Sequence, residues 1–351
     1  MLNHQDILEK LRSAFPGGKG VTLVARYADD ALKLPTRRAH IFIGDCHMLN
    51  NEDTQAYPKY QFLQSEDLQT LLKALTELKA DSPGQLRVWH LGDLFDIWRA
   101  RGGIGPSAEV DRITRDRHEI IDYLREGPPG GVRARIIAGN HDYDLYGLGE
   151  WRADRYRIID NDDSDGGDVF ILHGDVFSWI EKLPDELQAK AVRFAKWHAA
   201  GTKDLFNEKK TIEEINSELN IDEPFSSEPI SLQQAELDEL APGQLDPINV
   251  IDGDSGNPDA DNKKNFAGAK ALAEKMRERG HNIRLMITGH AHWARLVKGS
   301  IADSPFVLMD CGAWIGYVRL GDNEERIHSG QIGVMVGNEL RLYQIGARKV
   351  S

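Results

Sequence analysis

Short apolar runs alternate with amphipathic stretches along the first 140 residues. Leucines at helical spacing predict a helix over 66–79, and a second apolar stripe predicts a helix over 107–125. Apolar runs of strand length lie at 40–44, 87–92 and 133–138. The order β, α, β, α, β predicts a sheet with helices packed on it, in which ligand-bearing loops lie at the carboxyl ends of the strands.

Beyond residue 140 the pattern changes to strands with little helix. Apolar or alternating runs predict strands at 156–159, 169–173, 284–288, 306–310 and 331–345. We expect these strands to form a second sheet. Helical patterns occur at 5–14, 182–206 and 264–279.

Five of the predicted strands end in polar residues that suit a metal ion. The segments are 41–47 (IFIGDCH), 88–96 (VWHLGDLFD), 136–142 (IIAGNHD), 169–175 (VFILHGD) and 285–292 (LMITGHAH). Asp93 is central, because a carboxylate at the end of a buried strand needs a cationic partner and its two oxygens can bridge two metal ions. GDCH or GDLFD alone would be a weak signal, since Gly-Asp turns after strands are common. The ordered set of five predicts a metal cluster.

These five segments resemble the calcineurin-like metallophosphoesterase superfamily, whose pattern is DxH, GDxxD, GNHD, a His-Gly pair and GHxH. The resemblance covers roughly residues 38–178 and 283–346. It implies that one metal ion is held by Asp45, His47, Asp93 and His292. It implies that the other is held by Asp93, Asn140, His173 and His290.

The same resemblance implies an α/β (α+β) fold of two mixed β-sheets packed as a sandwich and flanked by helices, with the site at one edge. We expect an amino-terminal extension at 1–37, a core at 38–178 and 283–351, and a helical and acidic cap inserted at 179–282. The acidity is local: residues 211–262 contain fourteen Asp or Glu and no Lys or Arg, whereas the whole chain has a net charge of −13. A calcium-loop interpretation of 252–262 fails, because the ligand and glycine positions of an EF-hand do not match.

The predicted ligands combine carboxylate, amide and imidazole groups. This mixture suits two divalent first-row ions, with Mn expected and Fe, Zn, Co or Ni as alternatives. Two such ions with two Asp carboxylates and a bridging hydroxide keep about one positive charge, which suits a phosphate. Paired ions of this kind activate water near neutral pH. We therefore expect hydrolysis of a phosphate monoester, diester or pyrophosphate.

Two further residues receive catalytic roles from the resemblance. His141, the His of GNHD, faces the leaving group, and Asp96, the second Asp of GDxxD, hydrogen-bonds it. A carboxylate partner would orient the imidazole and stabilise its protonated form, so that His141 can donate a proton to the departing oxygen.

The class of substrate stays open at this stage. HGD at 173–175, and GDLFD followed by Ile97 and Trp98, are similar to UDP-2,3-diacylglucosamine pyrophosphatases, but His141 stands where that group usually has Arg. Ile97 also argues against a protein Ser/Thr phosphatase. We expect a phosphorylated small-molecule or nucleotide-like substrate. The alternatives are a nuclease, which the absence of a dense basic run disfavours, and a metal-binding scaffold without turnover.

Composition places the chain among globular proteins. It has 351 residues, of which 40% are hydrophobic and 28% charged. The amino terminus lacks the apolar stretch of a signal peptide and no apolar run reaches about 18 residues, so we expect a cytoplasmic protein. The two cysteines, Cys46 and Cys311, lack paired spacing and are expected to be small buried hydrophobic residues. A catalytic thiol at Cys46 is the alternative.

Overall fold

A computed structural model describes most of the chain outside residues 176–249. The described residues are 2–16, 20–35, 37–56, 65–97, 105–142, 144, 145, 148, 151, 153–161, 166–175, 250–254, 260–292, 294–314 and 330–345. In chain order, its helices and strands are α1 (His4–Ala14), β1 (Val21–Ala28), β2 (Ala39–Ile43), α2 (Asn51–Ala56), α3 (Ser65–Asp81), β3 (Leu86–His90), α4 (Pro106–Asp116), α5 (His118–Arg125), β4 (Arg135–Ile136), β5 (Tyr156–Ile159), β6 (Asp168–Leu172), β7 (Val250–Asp252), α6 (Ala260–Glu278), β8 (Ile283–Thr288), β9 (Ala294–Ile301), β10 (Ser304–Cys311), β11 (Gln331–Val336) and β12 (Glu339–Ile345).

The strands form two mixed sheets of six described strands each. The first sheet has the order β1-β12-β11-β2-β3-β4, in which β2, β3 and β4 are parallel. The second has the order β5-β6-β8-β10-β9-β7, in which β6, β8 and β10 are parallel. The carboxyl ends of the parallel strands in each sheet therefore lie at one edge of that sheet.

The sheets pack face to face, as the sequence predicts. Phe42 and Trp89 from the first sheet and Ile171, Leu285 and Met309 from the second belong to one fully buried cluster between the sheets. The α1, α3, α4 and α5 helices cover the outer face of the first sheet, and α6 covers the outer face of the second. This arrangement confirms the α/β sandwich with helices outside.

Local sequence explains the helix boundaries. Asn3 caps α1: its side chain accepts the backbone N–H of Asp6, whose carboxylate accepts the N–H of Asn3 in return. The leucine stripe of α3 is buried, which confirms the helix at 66–79. The predicted helix at 107–125 is interrupted, because Arg117 leaves helical geometry with φ −119° and ψ 22°.

Some strand predictions were wrong. Residues 331–345 were expected in the second sheet, but they form a hairpin, β11 and β12, in the first sheet. The reason is long-range pairing, since β11 pairs antiparallel with β2 and Ile332 lies opposite Ile43. The strands β1, β7 and β9 were missed, and β1 precedes the strand at 40–44 that was expected to come first.

Most of the expected cap, up to residue 249, lies outside the described residues, as does the helix predicted at 182–206. At the end of that range, β7 pairs with β9 in the second sheet, and α6 packs against this sheet through the buried side chains of Phe266 and Ala269. The boundaries of the cap stay a prediction. Within the described residues, no helix combines the length and the apolar character needed to cross a bilayer.

Candidate metal centre

Four of the predicted ligands lie on left-handed backbone. The φ angles are 47° at His47, 50° at Asp93, 68° at His290 and 60° at His292. Non-glycine residues avoid this region because Cβ approaches the carbonyl oxygen, at a cost of roughly 1–2 kcal/mol each. Such strain concentrates at functional sites, where it turns several side chains toward one point.

Glycines before the ligands allow the turns to pack closely. A Cβ on Gly139 would overlap the Asp93 carboxylate, and a Cβ on Gly289 would overlap that of Asp45. On Gly92 a Cβ would lie 2.5 Å from Nδ1 of His173. These glycines are needed because backbone and ligand side chains occupy the space that a larger residue would fill.

One group of ligand atoms comes from the turns after β2, β3 and β8. Nε2 of His292 lies 3.0 Å from Oδ2 of Asp45 and 3.0 Å from Nε2 of His47. Nε2 of His47 also lies 3.4 Å from Oδ2 of Asp93 and 4.0 Å from Oδ2 of Asp45. All four predicted members of the first ligand set are thus neighbours.

A second group forms around the same Asp93. Nε2 of His173 lies 3.2 Å from Oδ2 of Asp93, 3.0 Å from Oδ1 of Asn140 and 3.3 Å from Nδ1 of His290. Nδ1 of His173 donates to the carbonyl oxygen of Leu91 at 2.9 Å, which leaves Nε2 as the acceptor nitrogen. Asp93 therefore lies between the two groups.

The residues present fit two divalent cations. Ligands about 2.1 Å from one ion lie about 3.0–3.4 Å apart in octahedral or tetrahedral geometry, and the separations within the two groups cluster in that range. Asp45, Asp93 and His173 are essentially inaccessible to solvent. Buried acceptor atoms that face one another are unfavourable unless a proton or a metal ion lies between them.

The electrostatics of the centre agree with this fit. Burial alone would raise the pKa of Asp93, but the charges of His173, His141 and His47 outweigh burial and hold that pKa well below its ordinary value. Burial would lower the pKa of His173, but Asp93 and Asp45 raise it well above its ordinary value. The two carboxylates thus favour positive charge at their common centre.

His141 lies at the outer side of this centre. Its Nδ1 is 2.8 Å from Oδ1 of Asp96, so the predicted hydrogen bond is present. The backbone N–H of His141 donates to Oδ1 of Asp93 at 2.8 Å, which fixes the His141 turn against the predicted bridging ligand. The side chain of His141 is 14% exposed, whereas that of Asp96 is fully buried. Solvent therefore reaches the imidazole and not its carboxylate partner.

Asp142 is a site residue whose role the sequence analysis missed. Its buried carboxylate accepts the backbone N–H groups of Asp93, Leu94, Phe95 and Gly139, at 3.3, 2.6, 3.2 and 2.7 Å. The sequence signal for this role was the last residue of GNHD, because a short acidic side chain can accept hydrogen bonds from nearby backbone N–H groups.

Residues 312–314 form a wall of the centre that the sequence analysis also missed. A Cβ on Gly44 would overlap the carbonyl of Gly312, and the N–H of Trp314 donates to the backbone carbonyl of Asp45 at 2.7 Å. The only sequence signal was Gly312, two residues after the predicted strand at 306–310.

Both cysteines are free and buried, as expected. Burial, with Asp45 and Asp142 as further causes, raises the pKa of the Cys46 thiol well above its ordinary value. A thiol that resists ionisation is a poor nucleophile, so this environment favours the structural role of Cys46 over the catalytic one.

A family model described as calcineurin-like phosphoesterase matches residues 41–294. The match spans more than half of the chain and contains all seven candidate ligands. The chain belongs to the calcineurin-like phosphoesterase family.

Comparison with curated proteins gave no match. Among solved structures, the structure of Vacuolar Protein Sorting 29 from Cryptosporidium parvum matches over 88% of this chain and 96% of that chain, with 7% identity and a TM-score of 0.28.

Proposed function

We propose that this protein hydrolyses a phosphate monoester, diester or pyrophosphate with water activated by two divalent metal ions. The observation that carries the proposal is the convergence of seven Asp, Asn and His side chains into two groups that share Asp93, with His141 beside them. Family membership supports the same chemistry.

In this proposal Asp93 would belong to the ligand sets of both ions. Asp45, His47, Asp93 and His292 would hold the first ion, and Asp93, Asn140, His173 and His290 would hold the second. When bound, the ions would supply a nucleophile from water at neutral pH and positive charge on the phosphoryl oxygens. Mn is the metal we expect, because mixed oxygen and nitrogen ligands suit borderline first-row ions.

Besides the metal ligands, the proposed mechanism uses the side chains of His141 and Asp96. Asp96 holds the imidazole through Nδ1, which leaves Nε2 of His141 as the nitrogen that faces a substrate. A protonated Nε2 would donate its proton to the departing oxygen as the phosphorus–oxygen bond breaks. The hydrogen bond to the buried carboxylate of Asp96 keeps the orientation of the ring before and after transfer.

Residues 173–175 are similar to the corresponding residues of UDP-2,3-diacylglucosamine pyrophosphatases. The hydrogen bond between His141 and Asp96 is an argument for a proton donor at position 141, where that subgroup usually has Arg. We therefore infer that the substrate has a leaving group that needs protonation. We do not propose the lipid substrate of that subgroup for this protein.

A hydrolysis screen of the metal-loaded protein tests the proposed function. The panel contains a simple alkyl monoester, a nitrophenyl monoester, a diester, a nucleotide sugar and single-stranded DNA, each with Mn, Zn or no added metal. We expect metal-dependent turnover of at least one small phosphoester. Stoichiometric metal without turnover of any substrate would contradict an enzymatic role, and turnover of DNA alone would favour a nuclease.

A further inference from the structure

A cluster of arginines lies at the amino ends of the parallel strands in the first sheet, whereas the candidate ligands follow the carboxyl ends. Arg38 directly precedes β2, Arg87 is the second residue of β3, and Arg135 is the first residue of β4. Arg157 joins them from β5, the edge strand of the second sheet. This arginine cluster therefore contains residues from both sheets.

The strand register brings the side chains together. Arg87 lies opposite His40 on the neighbouring strand, and Arg135 lies opposite Trp89. Alternate residues of a strand share a face, so Arg87 lies on the same face as Trp89. The Arg135 guanidinium carbon lies 5.4 Å from the centroid of the Trp89 ring, a distance typical of a cation–π contact.

The charges of the cluster are only partly compensated, by Asp154 beside Arg135 and Arg157. Burial, and then the charges of Arg135, Arg38 and Arg157, lower the pKa of the Arg87 guanidinium to about 10. In the part of the chain that the structure describes, neither Arg38 nor Arg87 makes an ion pair or hydrogen bond to a carboxylate. Arg157 lies 3.9 Å from Asp154, and both side chains are more than 40% exposed, so this ion pair is weak.

One member of the cluster, Arg157, lines a cavity that is open to solvent. The cavity has a volume of about 420 Å³, and two carboxylates lie beside the arginines in its lining, which consists of Asp154, Arg155, Tyr156, Arg157, Ile158 and Asp160. The whole chain carries a net charge of −13. A local concentration of cations on an acidic protein attracts anions to that position, whereas the net negative charge repels them elsewhere.

We propose that the arginine cluster of Arg38, Arg87, Arg135 and Arg157 is a second ligand site, separate from the metal centre, that binds a group of two or three linked phosphates. Guanidinium groups bind phosphate oxygens through paired hydrogen bonds, and arginine provides this geometry better than lysine. A single orthophosphate would neutralise only about half of four positive charges, whereas a triphosphate matches them. Three neighbouring strands about 4.8 Å apart span about 10 Å, which suits a compact group better than an extended polymer.

Calorimetric titration with inorganic tripolyphosphate tests this site. The full-length protein is titrated in excess magnesium chloride, so that the probe does not remove metal from the protein. We expect saturable binding of one tripolyphosphate that persists in an Asp93→Asn variant, because Arg38, Arg87 and Arg135 lie at the amino ends of β2, β3 and β4, whereas Asp93 follows the carboxyl end of β3. The paired substitution Arg87→Gln and Arg135→Gln should weaken binding by at least about tenfold, as expected when two charge-assisted hydrogen-bond donors are lost.

A matched control removes the same charge elsewhere. Arg115 and Arg279 are exposed and distant in sequence from the cluster, so Arg115→Gln with Arg279→Gln should leave affinity within about twofold. Equal loss in both double variants, or loss in Asp93→Asn alone, would overturn the proposal. If the Arg87 and Arg135 variant does not fold, the exposed pair Arg38→Gln and Arg157→Gln gives the same test, since neither side chain is part of the core.

Further probes distinguish the source of the phosphates. Tighter binding of a nucleoside triphosphate than of tripolyphosphate would assign the oligophosphate to a nucleotide, and equal binding would assign it to a free oligophosphate. Two other probes are a 20-nucleotide oligothymidylate and vesicles with 30% phosphatidylglycerol. If either binds through the cluster and tripolyphosphate does not, the proposal is contradicted. The surface would then be assigned to nucleic acid or to membrane.

Discussion

The carboxylate of Asp142 accepts the backbone N–H of Leu94 at 2.6 Å and so joins the GNHD turn to the GDLFD turn. The same carboxylate accepts the N–H of Gly139 at 2.7 Å. The two turns carry Asp93, Asn140 and His141. Asp142 is therefore a positioning residue: it is fully buried and fixes backbone that carries candidate ligands.

Replacing Asp142 should destabilise the protein. Asp142→Ala leaves four buried N–H groups without an acceptor and should lower the free energy of unfolding by about 3 kcal/mol or more, whereas Asp142→Asn keeps one oxygen and should cost less. Denaturant unfolding measures both. The exposed Asp111→Ala variant is the control and should change stability by no more than about 0.5 kcal/mol. Equal stability of Asp142→Ala and Asp111→Ala would refute the positioning role.

Asp93→Asn should lower metal content and turnover together. The substitution removes a negative charge from between two predicted dications, which are then less well compensated. We expect fewer than two ions per chain by elemental analysis and a loss of roughly 10²-fold or more in turnover. Asp111→Asn should retain both. Full metal content with normal turnover in Asp93→Asn would rule out a bridging role.

His141→Gln should keep both metals and slow turnover by about 10²–10⁴-fold for a poor leaving group, the usual size of a lost proton donor. A nitrophenyl ester should be affected less, because its leaving group needs no proton. Asp96→Asn should give a smaller defect of the same kind, and the double variant should be little worse than His141→Gln. Loss of metal in His141→Gln, or equal slowing of good and poor leaving groups, would mean that His141 is a ligand or stabilises phosphoryl charge.

Gly289→Ala should weaken the metal centre without affecting the rest of the fold. The new Cβ would overlap the Asp45 carboxylate and displace it from the first ligand group. We expect metal affinity to fall by about 10–100-fold, the effect typical of disturbed ligand orientation. Gly20→Ala is the matched control, since nothing lies within 4 Å of its added Cβ. Unchanged metal titration in Gly289→Ala would show that Asp45 is not held as we describe.

Acid should destabilise the protein through His40. Burial, together with Arg87, Arg38 and Arg135, lowers the pKa of His40 from 6.5 to about 3, so the folded state favours the neutral ring. The neutral ring thus makes a contribution to the free energy of unfolding that is fully present above pH 6.5. This contribution is lost as the pH falls from about 6.5 toward 3, because the unfolded chain binds the proton first. One such group contributes at most about 1.4 kcal/mol per pH unit.

Unfolding free energies between pH 7.5 and 4.5 measure this effect. His40→Gln should show a shallower decline than the wild type, whereas His118→Gln, at an exposed position, should not differ from it. Parallel curves for the wild type and His40→Gln would contradict the assignment.

Much of the candidate centre could be predicted from local sequence. Each ligand turn consists of a buried strand, a glycine and a polar residue, and all of these signals lie within a few consecutive residues. Asp45, Asp93 and His173 therefore take their predicted places at strand ends. The helix over 66–79 could also be predicted, because the periodic spacing of its leucines along the chain is enough to indicate a helix.

The remaining features depend on contacts between distant residues. The sequence by itself determined in which turns the candidate ligands lie. Only the tertiary structure decided that β11 lies beside β2, that Asp142 joins two turns, and that Arg38, Arg87, Arg135 and Arg157 form one cluster. The physical reason is that strand pairing and burial depend on partners far apart in the chain, and no local pattern of hydrophobic residues specifies those partners.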